Sequence, residues 1–272
     1  MTDWPAVCRE AGEAVSRVLA ELPARADREP VLGTGMGGDE TTAVDAAAEA
    51  AVVEVLRRSG AGFTLVSEEL GEEKVGSGGD GVHVVVDPID GSLNAKRGIP
   101  LFALSIAVAD GPAMGDVFFG YVRDYGTGEE WTARRGEGAR LNGEPLGGDL
   151  PKSEVEILAM EATRTDLLAE KAGAMAGFAY RTRVFGSLTL SLCHLAAGRV
   201  DAVCSLKPAR SVDIAAAQLL VRERGLAIDL PDDRPFGAAR LDLEARSRVV
   251  AGATDAVCAE LWRRLTARRD PA

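Results

Sequence analysis

The hydrophobic positions of the first third of the chain predict two amphipathic helices and two short strands. Apolar residues recur at helical spacing over 4–22 and about 43–58, which is typical of helices that bury one face. The stretch 33–41 between them is rich in glycine and acidic residues and predicts a loop. Segments 63–66 and 82–86 are short, apolar and rich in β-branched residues, so we expect buried strands there.

The pattern then changes twice along the chain. Apolar runs at 101–109 and 115–123, followed by glycine-punctuated sequence over 130–146, predict further β-structure. Beyond it, strand-like and helix-like patterns alternate, which predicts a layered βα segment. The predicted strands are 155–160, 180–185, 200–206 and 248–252, and the predicted helices are 164–176, 187–197, 212–224 and 255–268. We therefore predict an N-terminal α+β half, 1–148, and a C-terminal α/β half, 149–272.

Composition narrows the possible function classes. The 272 residues carry a net charge of -11, which disfavours binding to nucleic-acid phosphates. The sequence shows no apolar run of membrane-spanning length and no signal peptide at its start, so we predict no membrane partner. The four cysteines are widely spaced, as expected of buried thiols in a reducing cytoplasm. With only two histidines, His83 and His194, zinc and Ser-His-Asp chemistry are poor hypotheses.

Carboxylates collect where the predicted strands end. Glu68-Glu69 follows 63–66, and the run Asp87-Pro-Ile-Asp-Gly-Ser92 follows 82–86. Asp45 on the second helix and Asp213 before a later helix offer two further carboxylates. The run 87–92 could be a simple turn, since Asp, Pro and Gly are common turn residues. If all four segments meet, however, the carboxylates would repel one another without a hard cation, and two or three Mg²⁺ ions would satisfy them.

Helix starts that follow glycine offer seats for a phosphate. Gly91-Ser92 would open a helix directly after the carboxylate run, and amides at a helix N-terminus bind phosphate. Gly186-Ser187-Leu188 repeats the strand–glycine–helix arrangement. Together with a metal cluster, these features predict the hydrolysis of a phosphate ester by an activated water.

These motifs resemble the inositol monophosphatase family, and the resemblance extends from the first helix to the last. Asp87–Ser92 with Asn94 is similar to the family's DPIDGT-x-N block, with serine in place of threonine. Glu68-Glu69 stands at the family's Glu-Glu position, and 211–216 resembles its WDxAAG block, with Val212 in place of tryptophan and Ala217 in place of the final glycine. Segments 129–146, 183–187 and 195–201 also fit.

The resemblance implies a layered α/β/α/β/α sandwich, usually a homodimer, that hydrolyses a small phosphomonoester with Mg²⁺, for which Mn²⁺ could substitute. Glu68, Asp87 and the carbonyl of Ile89 would hold the first ion. Asp87, Asp90 and Asp213 would hold the second, and Glu68 a weaker third. The implied catalytic residues are Asp45, Ser92 and Glu69, of which Asp45 and Ser92 would orient and deprotonate the attacking water.

The substrate side is less constrained by the resemblance. The glycine-rich loop before Asp45 is similar to that of archaeal-type members, several of which also accept fructose 1,6-bisphosphate; Asp39 in it could close over the site, or the loop could be plain surface. Inositol-preferring members carry a glutamate where this chain has Leu206. The cations nearby suit a second phosphate, although they could equally be surface charges or dimer contacts. The predicted substrate-side residues are Asp90, Gly91, Ser92, Arg183, Gly186, Ser187, Leu188, Lys207, Arg210 and Asp213.

Two other functions remain open at this point. The substrate could be a 3′-phosphoadenosine nucleotide rather than a sugar or polyol phosphate such as inositol 1-phosphate or fructose 1,6-bisphosphate. The chain could also be a regulator that binds metal or sugar phosphate without catalysis. Every expected carboxylate is present, which favours an enzyme.

Overall fold

The fold comes from a computed structural model of the chain. It describes residues 2–36, 38, 40–77, 81–148, 150–152, 154–162, 164–233 and 235–267. The helices are α1 Trp4–Glu21, α2 Arg25–Arg28, α3 Ala43–Arg58, α4 Ser92–Arg97, α5 Thr165–Ala172, α6 Leu188–Ala196, α7 Ala215–Glu223 and α8 Asp255–Thr266. The strands are β1 Val31–Thr34, β2 Glu40–Thr42, β3 Phe63–Ser67, β4 Gly71–Val75, β5 His83–Asp90, β6 Ala103–Ala109, β7 Val117–Asp124, β8 Glu130–Arg134, β9 Gly138–Leu141, β10 Glu144–Pro145, β11 Val155–Glu161, β12 Ala179–Arg183, β13 Ala202–Ser205, β14 Ala227–Asp229 and β15 Val250–Gly252.

Two sheets form the framework. The first has eight strands in the order β10-β9-β8-β7-β6-β5-β3-β4, and its neighbours are antiparallel except for β3 and β5, which run parallel. The second has five strands in the order β12-β11-β13-β15-β14, in which β12, β11 and β13 run parallel. Strands β1 and β2 pair separately as a small hairpin.

The helices alternate with the sheets as layers. Helices α1 and α3 pack against one face of the first sheet, and α7 packs against the other. Helix α6 packs beside α7 and against β11 and β13 of the second sheet, whose outer face is covered by α8. This order confirms the predicted α/β/α/β/α sandwich.

The central strands are apolar on both faces because helices cover both. In β5, Val84 and Val86 join the hydrophobic cluster under α1 and α3, whereas Val85 joins the cluster under α6 and α7. Strand β6 divides in the same way, with all seven of its residues buried. Two-sided burial explains why these strands read as continuous apolar runs rather than as alternating ones.

The structure adds elements that the apolar pattern did not predict. The predicted loop 33–41 contributes to the hairpin β1–β2, and β4 is a polar edge strand with the sequence Gly-Glu-Glu-Lys-Val. Strand β14 was also missed. These strands are short and lie at or near edges, so they carry few of the buried apolar residues on which the prediction depended.

The predicted division at 148/149 falls between β10 of the first sheet and β11 of the second. One hydrophobic cluster nevertheless contains residues of both halves, such as Val85 and Leu192. The division of the chain into these two halves stays a prediction. In the part of the chain described, no helix combines the length and the apolar character needed to cross a membrane.

Candidate active site

Three carboxylates from distant parts of the chain meet at one end of the first sheet. Each of Glu68, Asp87 and Asp213 offers an oxygen, and these oxygens lie within 4.8 Å of one another. Glu68 follows β3, whose Ser67 is in register with Val86 of β5, so Glu68 lies next to Asp87. Asp213 is held in the turn before α7, where its Oδ2 accepts the backbone N–H of Arg210 at 2.8 Å.

A β-bulge brings Asp90 to the same side as Asp87. In the pairing of β5 with β6, Asp87 is opposite Ser105 and Asp90 is opposite Ala103, so β5 contains one extra residue. Residues three apart on a regular strand point to opposite faces, and the extra residue of a bulge removes this difference. The strand therefore continues through Asp90, whereas the sequence predicted that it ends at Val86. The Asp-Pro-Ile-Asp run is a bulged strand end rather than a simple turn.

The segment that enters α6 fixes one oxygen of Asp90. Its Oδ2 accepts the hydroxyl of Ser187 at 2.6 Å and the backbone N–H of Thr189 at 2.7 Å. Asp87 is fixed locally, because its Oδ1 accepts the N–H of Ile89 at 3.0 Å. Each carboxylate is thus oriented by the protein and retains an oxygen for another partner.

Burial and mutual repulsion raise the pKa values of this cluster. Burial and the charge of Asp213 raise the pKa of Glu68 to about 8, although Arg210 opposes the rise. Burial, followed by the charges of Glu68 and Asp90, raises the pKa of Asp87 well above its ordinary range. Burial and then Asp213 raise the pKa of Asp90 to about 7. A cation would offset both effects on the pKa values, because an opposite charge nearby favours the charged carboxylates.

One cation of the chain already lies in the cluster. Arg210 is buried, and its Nη2 donates to Glu68 Oε1 at 2.5 Å while its Nε lies 3.6 Å from Asp213 Oδ2. The sequence predicted Arg210 as a substrate-side residue. Its guanidinium lines the cavity and bridges two of the predicted metal ligands, and its contact with a substrate stays a prediction.

A cavity of about 320 Å³ opens over the carboxylates. Most of the predicted site residues line it: Glu68, Glu69, Asp87, Ile89, Asp90, Gly91, Ser92, Gly186, Ser187, Leu188, Lys207, Arg210 and Asp213. The starts of α4 and α6 therefore face the same space as the acidic cluster. This arrangement brings a candidate phosphate seat and a candidate metal site together.

Two glycines let the segments around the cavity touch. Gly91 has φ +93°, and a Cβ there would lie 2.9 Å from the carbonyl oxygen of Leu101. Gly186 has φ +75°, and a Cβ there would lie 2.9 Å from Asn94 Nδ2. That amide nitrogen donates to the carbonyls of both Leu101 and Phe185, at 2.7 and 2.8 Å, so Asn94 ties the two halves of the chain together.

Ser92 and Glu69 line the cavity, whereas Asp45 is not among the residues that line it. Ser92 donates its hydroxyl to the carbonyl of Ile89 at 2.9 Å. Glu69 accepts the hydroxyl of Thr41, which attaches the β1–β2 hairpin to the site. Asp45 is buried outside the cavity wall, where its Oδ2 accepts the backbone N–H of Thr42 at 3.0 Å; its Oδ1 has no hydrogen-bond partner among the residues that the structure describes.

Besides Asp45, two of the predicted residues cannot be placed at the cavity. Arg183, at the end of β12, is exposed, and its Nη1 donates to the carbonyl of Thr182 at 2.9 Å. Asp39 lies outside the described residues. Leu206, where some family members carry glutamate, packs into the hydrophobic cluster between the second sheet and α8.

The residues present fit a divalent metal. Hard divalent ions take several oxygen ligands, mostly from carboxylates, and three carboxylates with close oxygens are available here. The raised pKa values of Glu68 and Asp87 show that the cluster lacks compensating positive charge even with Arg210 beside it. The donor set contains only oxygen, which favours Mg²⁺ or Mn²⁺ over softer metals.

Comparison with known proteins identifies the family. The sequence profile of the inositol monophosphatase family matches residues 5–266. The chain belongs to the inositol monophosphatase family. The family and the class of hydrolase predicted from the sequence are thereby confirmed, and metal dependence is typical of this family.

Curated and solved relatives agree with the assignment. The fructose-1,6-bisphosphatase/inositol-1-monophosphatase of Methanothermobacter thermautotrophicus is 33% identical over 231 residues, which cover 82% of each chain. Nus factor SuhB of Escherichia coli is 37% identical over 197 residues, covering 69% of this chain and 70% of that protein. The crystal structure of the MJ0109 gene product, an inositol monophosphatase–fructose 1,6-bisphosphatase, has a TM-score of 0.82 at 25% identity and covers 96% of this chain and 99% of that one.

Two departures from the family motifs fall in the core, whereas the third, Ser92 in place of threonine, lines the cavity. Val212 and Ala217, which replace a tryptophan and a glycine, are both buried in the hydrophobic cluster around α6 and α7. Neither Val212 nor Ala217 is among the described residues that line the cavity. These substitutions therefore change packing rather than the charge or the hydrogen bonding of the site.

Sequence reasoning missed Glu161 and Arg246, both of which line the cavity. Glu161 ends β11, directly after the predicted strand 155–160. A carboxylate at the exit of an apolar strand is the same signal that singled out Glu68, so Glu161 could have been found. Arg246 lies in irregular sequence before β15, where no comparable signal exists.

Proposed function

We propose that the chain is a Mg²⁺-dependent phosphomonoester hydrolase that acts on a small sugar or polyol phosphate. The observation that carries the proposal is that Glu68, Asp87 and Asp213 meet in a cavity that is also lined by the first residues of α4 and α6. Glu68, Asp87, the carbonyl of Ile89, Asp90 and Asp213 would hold two or three ions. Bound Mg²⁺ would neutralise the cluster, acidify a water and stabilise charge on the phosphoryl oxygens.

The chain's own groups would orient the substrate and the attacking water. Amides at the start of α4, after Gly91, and at the start of α6 would seat the phosphate. The hydroxyl of Ser92 would orient the water, and Asp45, whose Oδ1 is buried and unpartnered among the described residues, would accept its proton. That step requires the Ser92 hydroxyl to turn away from the carbonyl of Ile89, and it requires Asp45, which is not among the residues that line the cavity, to come within hydrogen-bond reach of the water.

A phosphate-release assay with Mg²⁺ tests the class of reaction. We expect turnover of inositol 1-phosphate or fructose 1,6-bisphosphate that EDTA abolishes and that Mg²⁺ or Mn²⁺ restores. A nucleoside 3′,5′-bisphosphate in the same panel tests the alternative of a nucleotide phosphatase. Full turnover by metal-free protein would overturn the proposal.

Two cations on the cavity wall support a substrate with a second phosphate. Lys207 and Arg246 both line the cavity, and the loops that carry them are joined by hydrogen bonds between Ala209 and Ser247 at 2.8 and 3.1 Å. Leu206 is turned into the core, so no carboxylate from that position would repel a second phosphate. We propose fructose 1,6-bisphosphate as a substrate at least comparable to inositol 1-phosphate, an activity that also appears in the names of the archaeal relatives.

Single substitutions separate the second-phosphate proposal from the reaction itself. Lys207→Ala should lower kcat/KM for the bisphosphate roughly ten- to a hundredfold, as expected for about 1.5–3 kcal/mol from a charge-assisted hydrogen bond, with little change for the monophosphate. Arg183→Ala is the matched comparison, because that side chain is exposed and lies outside the cavity wall. Equal losses on both substrates would show that Lys207 is structural.

A regulatory role is the second candidate. The Nus factor SuhB relatives are matched over 69% of this chain, and their name describes a factor rather than a hydrolase. The complete acidic cluster favours catalysis here, since a binding protein would not need all of these crowded carboxylates. Absence of turnover for every substrate in the panel, with Mg²⁺ binding retained, would favour this role.

The location and the oligomeric state are part of the same proposal. We propose a cytoplasmic protein without nucleic-acid or membrane partners, and all four cysteines are free and buried, which suits a reducing compartment. We propose a homodimer formed through the edge strand β12, where Tyr180 is 77% exposed. Sedimentation of the wild type against Tyr180→Asp tests this interface.

A further inference from the structure

Glu161 is a buried carboxylate beside the proposed metal site that has no role in the mechanism above. It ends β11, in register with Ser205 of β13, and only 7% of its surface is exposed. Its Oε1 accepts the backbone N–H of Phe185 at 3.1 Å and the hydroxyl of Ser191 at 2.6 Å. Its Oε2 accepts the backbone N–H of Gly186 at 2.9 Å.

All three donors belong to the segment 185–191, which leads from β12 into α6. The same segment supplies the Ser187 hydroxyl and the Thr189 amide that hold Oδ2 of Asp90. With Oδ2 occupied, Asp90 has Oδ1 left for a metal ion. The position of the segment therefore decides where the free oxygen of Asp90 points.

We propose that Glu161 is a positioning residue: it anchors the segment 185–191 and thereby sets the orientation of Asp90 for metal binding. The inference rests on the proposed function, in which Asp90 is a metal ligand. Asn94 holds the segment from the opposite side through the carbonyl of Phe185. Glu161 accepts the N–H groups of Phe185 and Gly186 from the end of β11, within the C-terminal half of the chain.

Glu161→Gln tests the anchor with almost no change in volume. Glutamine offers one accepting oxygen where glutamate offers two, and its NH₂ group can only donate. In one orientation the NH₂ group faces the N–H of Phe185, and in the other it faces the N–H of Gly186. Either way a backbone donor loses its acceptor and the segment must shift.

Asp201→Asn is the matched control. Asp201 Oδ2 also accepts two backbone amides, those of Glu156 and Ile157, at 3.0 and 2.8 Å. These amides lie at the opposite end of β11, away from the cavity. The control removes the charge of a carboxylate that accepts two backbone amides, while the remaining amide oxygen can still accept both, and it does not touch the segment 185–191.

The measurement is titration of each purified variant with Mg²⁺ alone, by calorimetry. We expect Glu161→Gln to weaken Mg²⁺ binding roughly tenfold, which corresponds to about 1.4 kcal/mol, and Asp201→Asn to leave it unchanged. Wild-type affinity in Glu161→Gln, or an equal loss in both variants, would overturn the proposal. If Glu161→Gln does not fold, Ser191→Ala, which removes one of the three donors, should still weaken binding, and unchanged affinity there would equally overturn it.

Two further measurements separate positioning from general destabilisation. If Glu161 acts through the contact between Ser187 and Asp90, its effect should shrink in a Ser187→Ala background, and full additivity would count against the mechanism. Hydrogen exchange needs no metal: Glu161→Gln should accelerate exchange at the Thr189 amide, which Glu161 does not contact. Unchanged exchange at the Thr189 amide would overturn the proposal, whether or not the wild type binds Mg²⁺. Absence of Mg²⁺ binding by the wild type would instead contradict the proposed function.

Discussion

The metal-free protein should become more stable when Asp90 is replaced by asparagine. In the absence of metal, burial and Asp213 raise the pKa of Asp90 from its ordinary value of 3.8 to about 7. The unfolded chain loses this proton near pH 4, whereas the folded chain retains it until about pH 7. The contribution of Asp90 to the free energy of unfolding is therefore most favourable below pH 4. It falls as the pH rises from about 4 to about 7 and stays low above pH 7.

The size of the effect follows from the same change in pKa. A rise of about three pKa units corresponds to about 4 kcal/mol at pH 8, at roughly 1.36 kcal/mol per unit. Asparagine keeps an oxygen to accept the Ser187 hydroxyl and the Thr189 amide. The pKa of about 7 already includes the preference of both donors for the charged carboxylate, because both lower it. We therefore expect a gain of up to about 4 kcal/mol at pH 8 in EDTA and no gain at pH 4.

Urea unfolding at pH 4 and pH 8 measures this difference. With Mg²⁺ at a hundred times its Kd, the wild type should gain about 2.7 kcal/mol at pH 8 and the Asp90→Asn variant much less. Asp124→Asn is the control, because Asp124 is equally buried but accepts turn donors, the N–H of Gly126 at 2.7 Å and the hydroxyl of Thr127 at 2.7 Å. It should lose stability at both pH values. An Asp90→Asn variant that is less stable than the wild type at pH 8 in EDTA would refute the reasoning.

Three further substitutions test the surroundings of the cluster. Arg210→Ala leaves buried carboxylates without their cation and should cost about 3 kcal/mol in EDTA but much less in saturating Mg²⁺; equal losses in urea unfolding would contradict the bridging role. Gly91→Ala, at φ +93° with a backbone oxygen 2.9 Å from the new Cβ, should lower the thermal midpoint more than Gly128→Ala, at φ +78° in open space; equal shifts would show that the close approach does not matter. Ser92→Ala should lower kcat roughly a hundredfold in the phosphate-release assay while Ser92→Thr retains activity, and unchanged turnover in Ser92→Ala would exclude a role for the hydroxyl.

The local sequence was sufficient to predict strands that are buried on both faces. Strands β5 and β6 lie between helix layers, so both of their faces are apolar and the chain shows them as uninterrupted hydrophobic runs. Carboxylates at the exits of such strands are conspicuous, and Glu68 and Asp87 could be selected for that reason. The family resemblance then connected them to Asp213, which no local pattern relates to the other two.

Polar contacts between distant segments could not be predicted from hydrophobic runs. The β1–β2 hairpin is fastened by Thr41 to Glu69, and all four residues of β1 are exposed, so this strand has no buried face that a sequence pattern could show. Glu161 carried the strand-exit signal, but its role depends on the path of the segment 185–191, which is set by packing between the two halves of the chain. Arg183 and Arg210 were both predicted to lie on the substrate side. Arg183 is exposed on an edge strand, whereas Arg210 is buried between carboxylates.

The amino-acid sequence by itself determined the layered fold class, the family and most of the residues around the cavity, because hydrophobic periodicity and short motifs are properties of neighbouring residues. Only the tertiary structure decided which carboxylate oxygens meet. Asp87 and Asp90 share a side because β5 carries one extra residue against β6, and that bulge exists only in the pairing of the two strands. Asp213 joins them because α7 packs across the first sheet, which is a consequence of long-range burial that no local stretch of sequence records.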